Sequence, residues 1–293
     1  MPVTSLPCRW VDTLGVAVTE FKPYLSVLMP ALNEGRTIDK VVDAVLRVDL
    51  PLEIVLVDDG STDDTWAQMQ ARADGARVRA YRHAVNKGKG AAIRTALSHA
   101  RGDLVIIQDA DLEYDPKDFV RLVEPIQSGR ATVVYGTRKF SSHTAYSFWY
   151  VMGNRAVTLA ANVIYNAYLS DLETGYKLMS RDVALSLDLD ARGFELEPEI
   201  TAKLLRLGQR IYEVPIDYAA RSRAEGKKLK PSDGFKAMVA LARYRTWRPR
   251  QTHDLNQRRG GADVSTVGDG RPEDAERIQQ HLPVAGSADS APR

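Results

Sequence analysis

Leu104, Val105, Ile106 and Ile107 form a continuous apolar run that ends abruptly in Asp109, Asp111, Glu113 and Asp115. Such a run, bounded by turn residues, is what a strand buried on both faces of a parallel sheet requires. A chain that buries this strand must cover both of its faces with helices. Carboxylates at the carboxyl end of the strand fall where open α/β sheets place their ligands. Clustered negative charge there is costly unless something positive neutralises it. A hard divalent cation suits oxygen donors, and Mg²⁺ or Mn²⁺ often takes phosphates as its other ligands. The competing reading is a solvated turn, since Asp115 and Pro116 make a good turn pair.

The same grammar repeats through the first half. Residues 24–29 read as a buried strand, and residues 30–35 as a turn before a helix capped by Thr37 and running to about Arg47. Residues 53–57 are a second strand, ending in Asp58, Asp59, Gly60 and Ser61. Ser61 or Thr62 is expected to cap the next helix, with Asp63 and Asp64 in its first turn, where the helix dipole favours them. A short strand at 78–81 leads to Asn86-Lys-Gly-Lys-Gly90, readable equally as a phosphate loop or a plain glycine turn. A helix over 91–100, the strand at 104–108, a helix over 119–127 and a strand at 131–135 complete the series. Strands alternating with helices at this spacing predict an α/β fold, with a mostly parallel central sheet and helices on both faces. The loops 30–35, 58–61 and 109–115 then line one sheet edge as a nucleotide-sized crevice. Neither G-x-x-x-x-G-K-[ST] nor a G-x-G-x-x-G after the first strand occurs, which excludes the P-loop and dinucleotide classes.

Beyond Arg138 the alternation fades. Residues 146–169 are expected to be mostly helical and 170–177 polar. A helix starts within 194–200, runs through Leu207 and closes at Gly208, and a strand occupies 210–216. A basic loop covers 221–230, and Asp233 is expected to cap a final helix through Trp247. Phe148, Trp149, Tyr150, Tyr165 and Tyr168 are expected to pack in the core or between helices, or else to border a lipid-chain groove. The final helix carries Phe235, Met238, Val239, Leu241 and Trp247 beside Lys236, Arg243, Arg245 and Arg248. That mixture fits an interfacial helix as well as one packed on the domain. Residues 1–23 read as an irregular extension, 24–248 as one domain, and 249–293 as a disordered tail without aromatic residues.

A net charge of +2 gives no general nucleic-acid affinity. Cys8 is the only cysteine, so no disulfide framework or thiolate cluster is possible, and the chain reads as intracellular. The most apolar stretch, 148–169, is broken by Gly153, Asn154, Arg155, Asn162 and Asn166, so membrane contact is expected to be peripheral.

Three motifs in order, Val27-Leu-Met-Pro-Ala-Leu-Asn-Glu34, Val55-Leu-Val-Asp-Asp-Gly-Ser61 and Asp109-Ala-Asp111, resemble family 2 glycosyltransferases with the GT-A fold. Gly136-Thr-Arg138, Leu172-Glu-Thr-Gly-Tyr-Lys177, Glu197-Pro-Glu-Ile-Thr201 and the segment from Glu213 to Lys228 are similar to the dolichol-phosphate mannosyltransferase branch and its bacterial polyprenyl-phosphate relatives. The resemblance covers roughly residues 24–247 and implies the following roles. Pro30, Leu32 and Glu34 contact the base and ribose, and Val57 and Asp59 border the base. Asp109 and Ala110 face the ribose and phosphates, and Asp111 and Glu113 hold Mg²⁺ or Mn²⁺. Arg138, Arg221 and Lys227 bind phosphates of donor or acceptor.

The implied reaction is inverting transfer of a hexose from GDP-mannose or UDP-glucose to a polyprenyl phosphate at the cytoplasmic membrane face, with a membrane-protein partner as one means of attachment. A diphosphate leaving group needs a metal and cationic side chains. A phosphate acceptor is already anionic and needs positioning. A soluble hydroxyl acceptor would instead require a carboxylate base, for which Glu173, Glu197 and Glu199 are available. A non-catalytic binding protein is the third possibility, and the carboxylates at 109, 111 and 113 argue against it.

Overall fold

The strands β1 (Leu25–Ala31) and β2 (Leu52–Asp58) are buried along their whole length. The structure, a computed structural model, describes residues 22–138, 148–193, 195–219 and 231–249; at 149, 150 and 231–233 it describes backbone alone. β3 (Val78–Arg82), β4 (Leu104–Ile107), β5 (Val133–Thr137), β6 (Lys177–Ser180) and β7 (Ile211–Pro215) complete a seven-stranded sheet of order β3-β2-β1-β4-β6-β5-β7. All neighbours are parallel except β6, which runs antiparallel to both β4 and β5. Leu25 pairs with both Leu52 and Leu104. This register brings the carboxyl ends of β1, β2 and β4 to one edge.

Successive residues of a strand point to opposite faces, and the sequence supplies apolar groups to both. Val27, Met29, Ile54 and Ile106 pack on Ile38, Val41 and Val42 of α1 (Ile38–Leu46) and on Phe119 and Leu122 of α4 (Phe119–Gln127). Leu28, Val55, Val105 and Ile107 pack on Ile93 and Ala96 of α3 (Lys89–His99) and on Leu196 and Ile200 of α7 (Leu196–Arg206). A third cluster joins Val157 and Ala161 of α5 (Phe148–Tyr165), Ala202 of α7, and Ala237 and Leu241 of α8 (Pro231–Tyr244). The α/β fold with a mostly parallel sheet is therefore present.

Several local expectations are corrected. Helix α2 (Thr65–Arg72) starts later than Ser61 or Thr62 would place it. Asp63 accepts from the amide and hydroxyl of Thr65, while Ser61 Oγ accepts from the amide of Asn33. Helix α8 begins at Pro231, ahead of Asp233. Strand β6 and helix α6 (Arg181–Ser186) were not foreseen, because a four-residue strand carrying a buried lysine shows neither a period nor an apolar run. Phe148 and Tyr168 are 65% and 92% exposed, so neither is a core residue; Tyr165 does pack between helices and donates to the Leu241 carbonyl at 2.6 Å. The extension, the tail, Arg221 and Lys227 lie outside the described residues, apart from a few residues at the inner ends of the extension and tail.

At the edge opposite the carboxyl ends, Glu53 is fully buried at the start of β2. It accepts from Ser26 Oγ at 2.6 Å, the Arg101 amide at 2.6 Å, Arg101 Nε at 2.9 Å and Arg79 Nη2 at 2.7 Å. Burial raises its pKa, and these hydrogen bonds outweigh burial and leave it below the ordinary carboxylate value. Glu53→Ala is expected to cost about 3 kcal/mol in urea unfolding, because it strands partly buried guanidinium groups. A depressed carboxylate stabilises the fold above its unfolded pKa. Wild-type stability should thus fall as pH drops below about 4.5, with a shallower fall in the variant.

Candidate active site

Three loops meet at the carboxyl edge and are bonded to one another. Asn33, in the left-handed region at φ 55°, donates its amide to Ser61 Oγ at 2.9 Å, and its Oδ1 accepts from the Thr62 amide at 2.9 Å. The Glu34 amide donates to Thr65 Oγ1 at 2.8 Å. These bonds join the β1 loop to the β2 loop. Thr37 Oγ1 donates to the Ala110 carbonyl at 2.7 Å, which joins the β1 loop to the β4 loop, and lies 3.1 Å from Glu34 Oε2.

Of the residues expected at the donor, Leu32, Glu34, Asp109, Asp111 and Glu113 are half-buried at this edge, as a ligand contact requires. Pro30, Val57 and Ala110 are buried, and Val57 packs with Ala92 and Ile93. Asp59 is also buried, and its carboxylate accepts from the Lys87 amide at 3.0 Å, the Gly88 amide at 2.7 Å and His83 Nδ1 at 2.7 Å. The glycine-rich loop 86–90 therefore does bind an anion through its amides, and that anion is the chain's own Asp59. Its glycines are needed for packing as well, since a Cβ at Gly88 or Gly90 would collide with the carbonyl of Arg192 or Ala191.

Leu112 stands at φ 62° between Asp111 and Glu113, a left-handed turn that costs a leucine roughly 1–2 kcal/mol. Asp111 Oδ1 accepts from the Glu113 amide at 3.2 Å, and Glu113 Oε2 accepts from the Tyr218 hydroxyl at 2.5 Å. Asp109 is engaged by Lys89 Nζ at 2.9 Å, and the same ammonium reaches Glu197 Oε1 at 3.0 Å. Burial lowers the Lys89 pKa, and the two carboxylates more than reverse this, holding it well above the ordinary lysine value. Lysine-paired Asp109 is poorly placed as a metal ligand, which leaves Asp111 and Glu113. Among the described residues no group of three or more His, Cys, Asp or Glu side chains forms a complete metal site. Two carboxylates on one turn fit a hard cation whose shell is finished by diphosphate and water.

Arg138 does not stand open to a phosphate. Its Nε and Nη2 fork onto Asp171 at 2.7 and 2.8 Å, and its guanidinium lies 5.0 Å from the centre of the Tyr218 ring. Asp171 also accepts from Asn154 Nδ2 of α5 at 3.2 Å. Burial pushes Asp171 up, but Arg138 prevails and lowers it.

Glu173 is half-buried, and among the described residues no donor hydrogen-bonds its carboxylate. Burial first and the Glu197 carboxylate second raise its pKa to about 7, against the pull of Lys177 and Arg138. Lys177 is buried beneath it, donating to the Thr174 carbonyl and lying 5.0 Å from the Tyr135 ring centre; burial lowers its pKa. Glu199 is structural, accepting from the amides of Asp190 and Ala191 and pairing with Lys203 at 2.5 Å. Sequence reasoning gave no individual role to Lys89, Asp171, Lys177 or Tyr218. The only signal for Lys89 is a lysine inside the glycine loop, and nothing local marks Tyr218.

Residues 26–186 match the family described as Glycosyl transferase family 2. The chain belongs to glycosyl transferase family 2. This family 2 chain is 26% identical over 230 residues to a dolichol-phosphate mannosyltransferase of Pyrococcus furiosus, an alignment covering 76% of this chain and 64% of that protein. Over 211 residues it is 32% identical to the low-salt glycan biosynthesis hexosyltransferase Agl6 of Haloferax volcanii, covering 70% and 50% respectively. It thus spans between half and just under two thirds of these relatives' lengths. The fold is similar to the crystal structure of glucosyl-3-phosphoglycerate synthase from Mycobacterium tuberculosis in complex with Mn²⁺, UDP-glucose and phosphoglyceric acid. The TM-score is 0.60 at 25% identity, covering 76% of this chain and 80% of that one. The GT-A resemblance of the family 2 motifs is thereby borne out at the level of fold.

A raised carboxyl pKa makes a pH-dependent contribution of definite sign. The proton that Glu173 retains in the folded state stabilises the fold below the ordinary carboxylate value, and this is lost as pH rises through about 7. Glu173→Gln mimics the protonated form. It should raise the melting temperature at pH 8 and leave it nearly unchanged at pH 5, as read by differential scanning calorimetry.

Proposed function

We propose that the chain is an inverting hexosyltransferase that moves mannose or glucose from GDP-mannose or UDP-glucose to a polyprenyl phosphate at the cytoplasmic face of a membrane. The observation that carries the lipid acceptor is an exposed apolar face on α5 and α8. Phe148, Met152, Leu159 and Val163 recur at helical spacing along α5, and Phe235, Met238 and Val239 do so on α8; all are exposed. The opposite faces of both helices are already buried together. Residues 148–165 contain no acidic residue, and Arg155, Arg245 and Arg248 are exposed. Apolar groups flanked by cations match an anionic lipid surface. No helix among the described residues is long and apolar enough to cross a membrane; in this reading the contact is peripheral. Through Asn154 and Asp171 the same helix α5 reaches Arg138.

In this reading Leu32, Glu34 and the backbone at Pro30 and Val57 bind the nucleoside, and Asp109 and Ala110 flank the ribose and phosphates. Asp111 and Glu113 hold Mg²⁺ or Mn²⁺, which when bound offsets charge on the diphosphate leaving group. Lys89 and Arg138 hold the surrounding carboxylates, and Arg221 and Lys227 bind phosphate. The similarity to a dolichol-phosphate mannosyltransferase supports the acceptor, and the Mn²⁺ and UDP-glucose complex of the M. tuberculosis synthase supports metal and nucleotide. The domain is taken to span residues 24–248.

Glu173 favours a second reading, transfer to a soluble hydroxyl. A half-buried carboxyl group titrating near 7 is suited to be a general base. Purified protein incubated with Mn²⁺, a short polyprenyl phosphate and radiolabelled donors separates the two. Label that enters the organic phase, is abolished by EDTA and survives Glu173→Gln within about threefold supports the lipid reading. Turnover with soluble acceptors alone, falling about 100-fold or more in Glu173→Gln, supports the other. Phe235→Glu should weaken sedimentation with anionic vesicles and spare turnover of a detergent-dispersed acceptor.

A further inference from the structure

Tyr218 links the two halves of the site. Its hydroxyl donates to Glu113 Oε2 at 2.5 Å, while the guanidinium of Arg138 lies 5.0 Å from its ring centre. Backbone bonds hold the segment in place: Tyr218 forms an antiparallel bridge with Tyr114, the Ala219 amide donates to the Glu113 carbonyl at 2.9 Å, and the Asp217 amide donates to Asp118 Oδ2 at 2.8 Å. The ring is backed by Tyr114, with centroids 5.0 Å apart, and Tyr114 by Tyr176 at 4.6 Å. Tyr176 is itself in the core and donates to Gln108 at 2.6 Å. The hydroxyl therefore sits at the end of a row of tilted aromatic rings that leads into the core, held at both backbone and side chain.

We infer that Tyr218 is a positioning residue that sets the Glu113 carboxylate for the divalent cation and carries Arg138 on the same ring. The inference rests on the assignment of Asp111 and Glu113 as metal ligands. A phenol is a neutral donor at physiological pH. Holding one carboxylate oxygen fixes the side-chain rotamer and hence the direction of the other oxygen. Glutamate has three rotatable bonds and follows a left-handed residue, so this bond restricts the ligand before the metal arrives. Outer-sphere partners of this kind alter metal affinity by about ten- to a hundredfold. The arrangement also explains why this turn tolerates glutamate, whose reach exceeds that of Asp111: the longer side chain spans from the turn to the anchored tyrosine.

Tyr218→Phe removes only the hydroxyl and keeps the ring beneath Arg138. Mn²⁺ binding to the full chain is measured by the electron paramagnetic resonance signal of the free ion, with Mn²⁺ as the only added ligand. Tyr218→Phe should weaken binding about tenfold, and Glu113→Gln at least as much. The double variant should be no weaker than Glu113→Gln alone, since the two residues act through one bond. In turnover, the half-saturating Mn²⁺ concentration should rise about tenfold with kcat restored at saturation. Equal Mn²⁺ affinity in wild type and Tyr218→Phe overturns the inference, as do independent losses in the double variant. If Asp111→Ala abolishes binding while Tyr218→Phe leaves it intact, the metal assignment stands and the role of Tyr218 falls. If the wild type binds no Mn²⁺ either alone or with UDP or GDP present, both fall.

Discussion

The Lys89 ammonium, held between Asp109 and Glu197, is the interaction on which the site depends. Asp109, Asp171, Glu173 and Glu197 converge in a partly buried space, and desolvated carboxylates cannot remain ionised without compensation. Lys89, Arg138 and Lys177 provide it, each from a different element. Each ion pair also fixes a distance between chain segments. Lys89 at the start of α3 reaches the loop after β4 on one side and α7 on the other, so the sheet edge and a covering helix are tied by one side chain. Glu173 is the carboxyl group for which the compensation falls short, and it accordingly tends to keep its proton.

Much of this architecture is legible in the sequence because burial on both faces leaves a strong signature. The runs at 24–29, 53–57 and 104–107 are all strands, and the loops that follow them do meet. Period and apolarity cannot show which side chains bond across the loops. Asn33 with Ser61, Thr37 with Ala110 and Lys89 with Glu197 are partners 28, 73 and 108 residues apart. The glycine-rich loop is the instructive case. Its composition correctly signals amides gathered around an anion, yet the anion is an internal aspartate.

The second half is harder to read for a physical reason. Here the structure uses short elements and internal charge in place of long apolar runs. β6 has four residues, one of them a buried lysine. Phe148 and Tyr168 look like core aromatics by type, and only the folded chain shows that both are exposed, one at the start of α5 and the other just beyond its end. Arg138 looks like a phosphate ligand by charge, and only the folded chain reveals the carboxylate of Asp171 already in its fork.

The reversed direction of β6 also bears on how the molecule comes into being. Every strand pairing among β3, β2, β1 and β4 is available once residue 107 has been made. β6 begins at residue 177, after both of its partners β4 and β5 have been made. Vectorial synthesis favours early assembly of the first four strands. During translation the loops after β1, β2 and β4 can therefore form before Asp171, Glu173 and Lys177 leave the ribosome. The half of the crevice assigned to the donor is then a template on which the other half condenses.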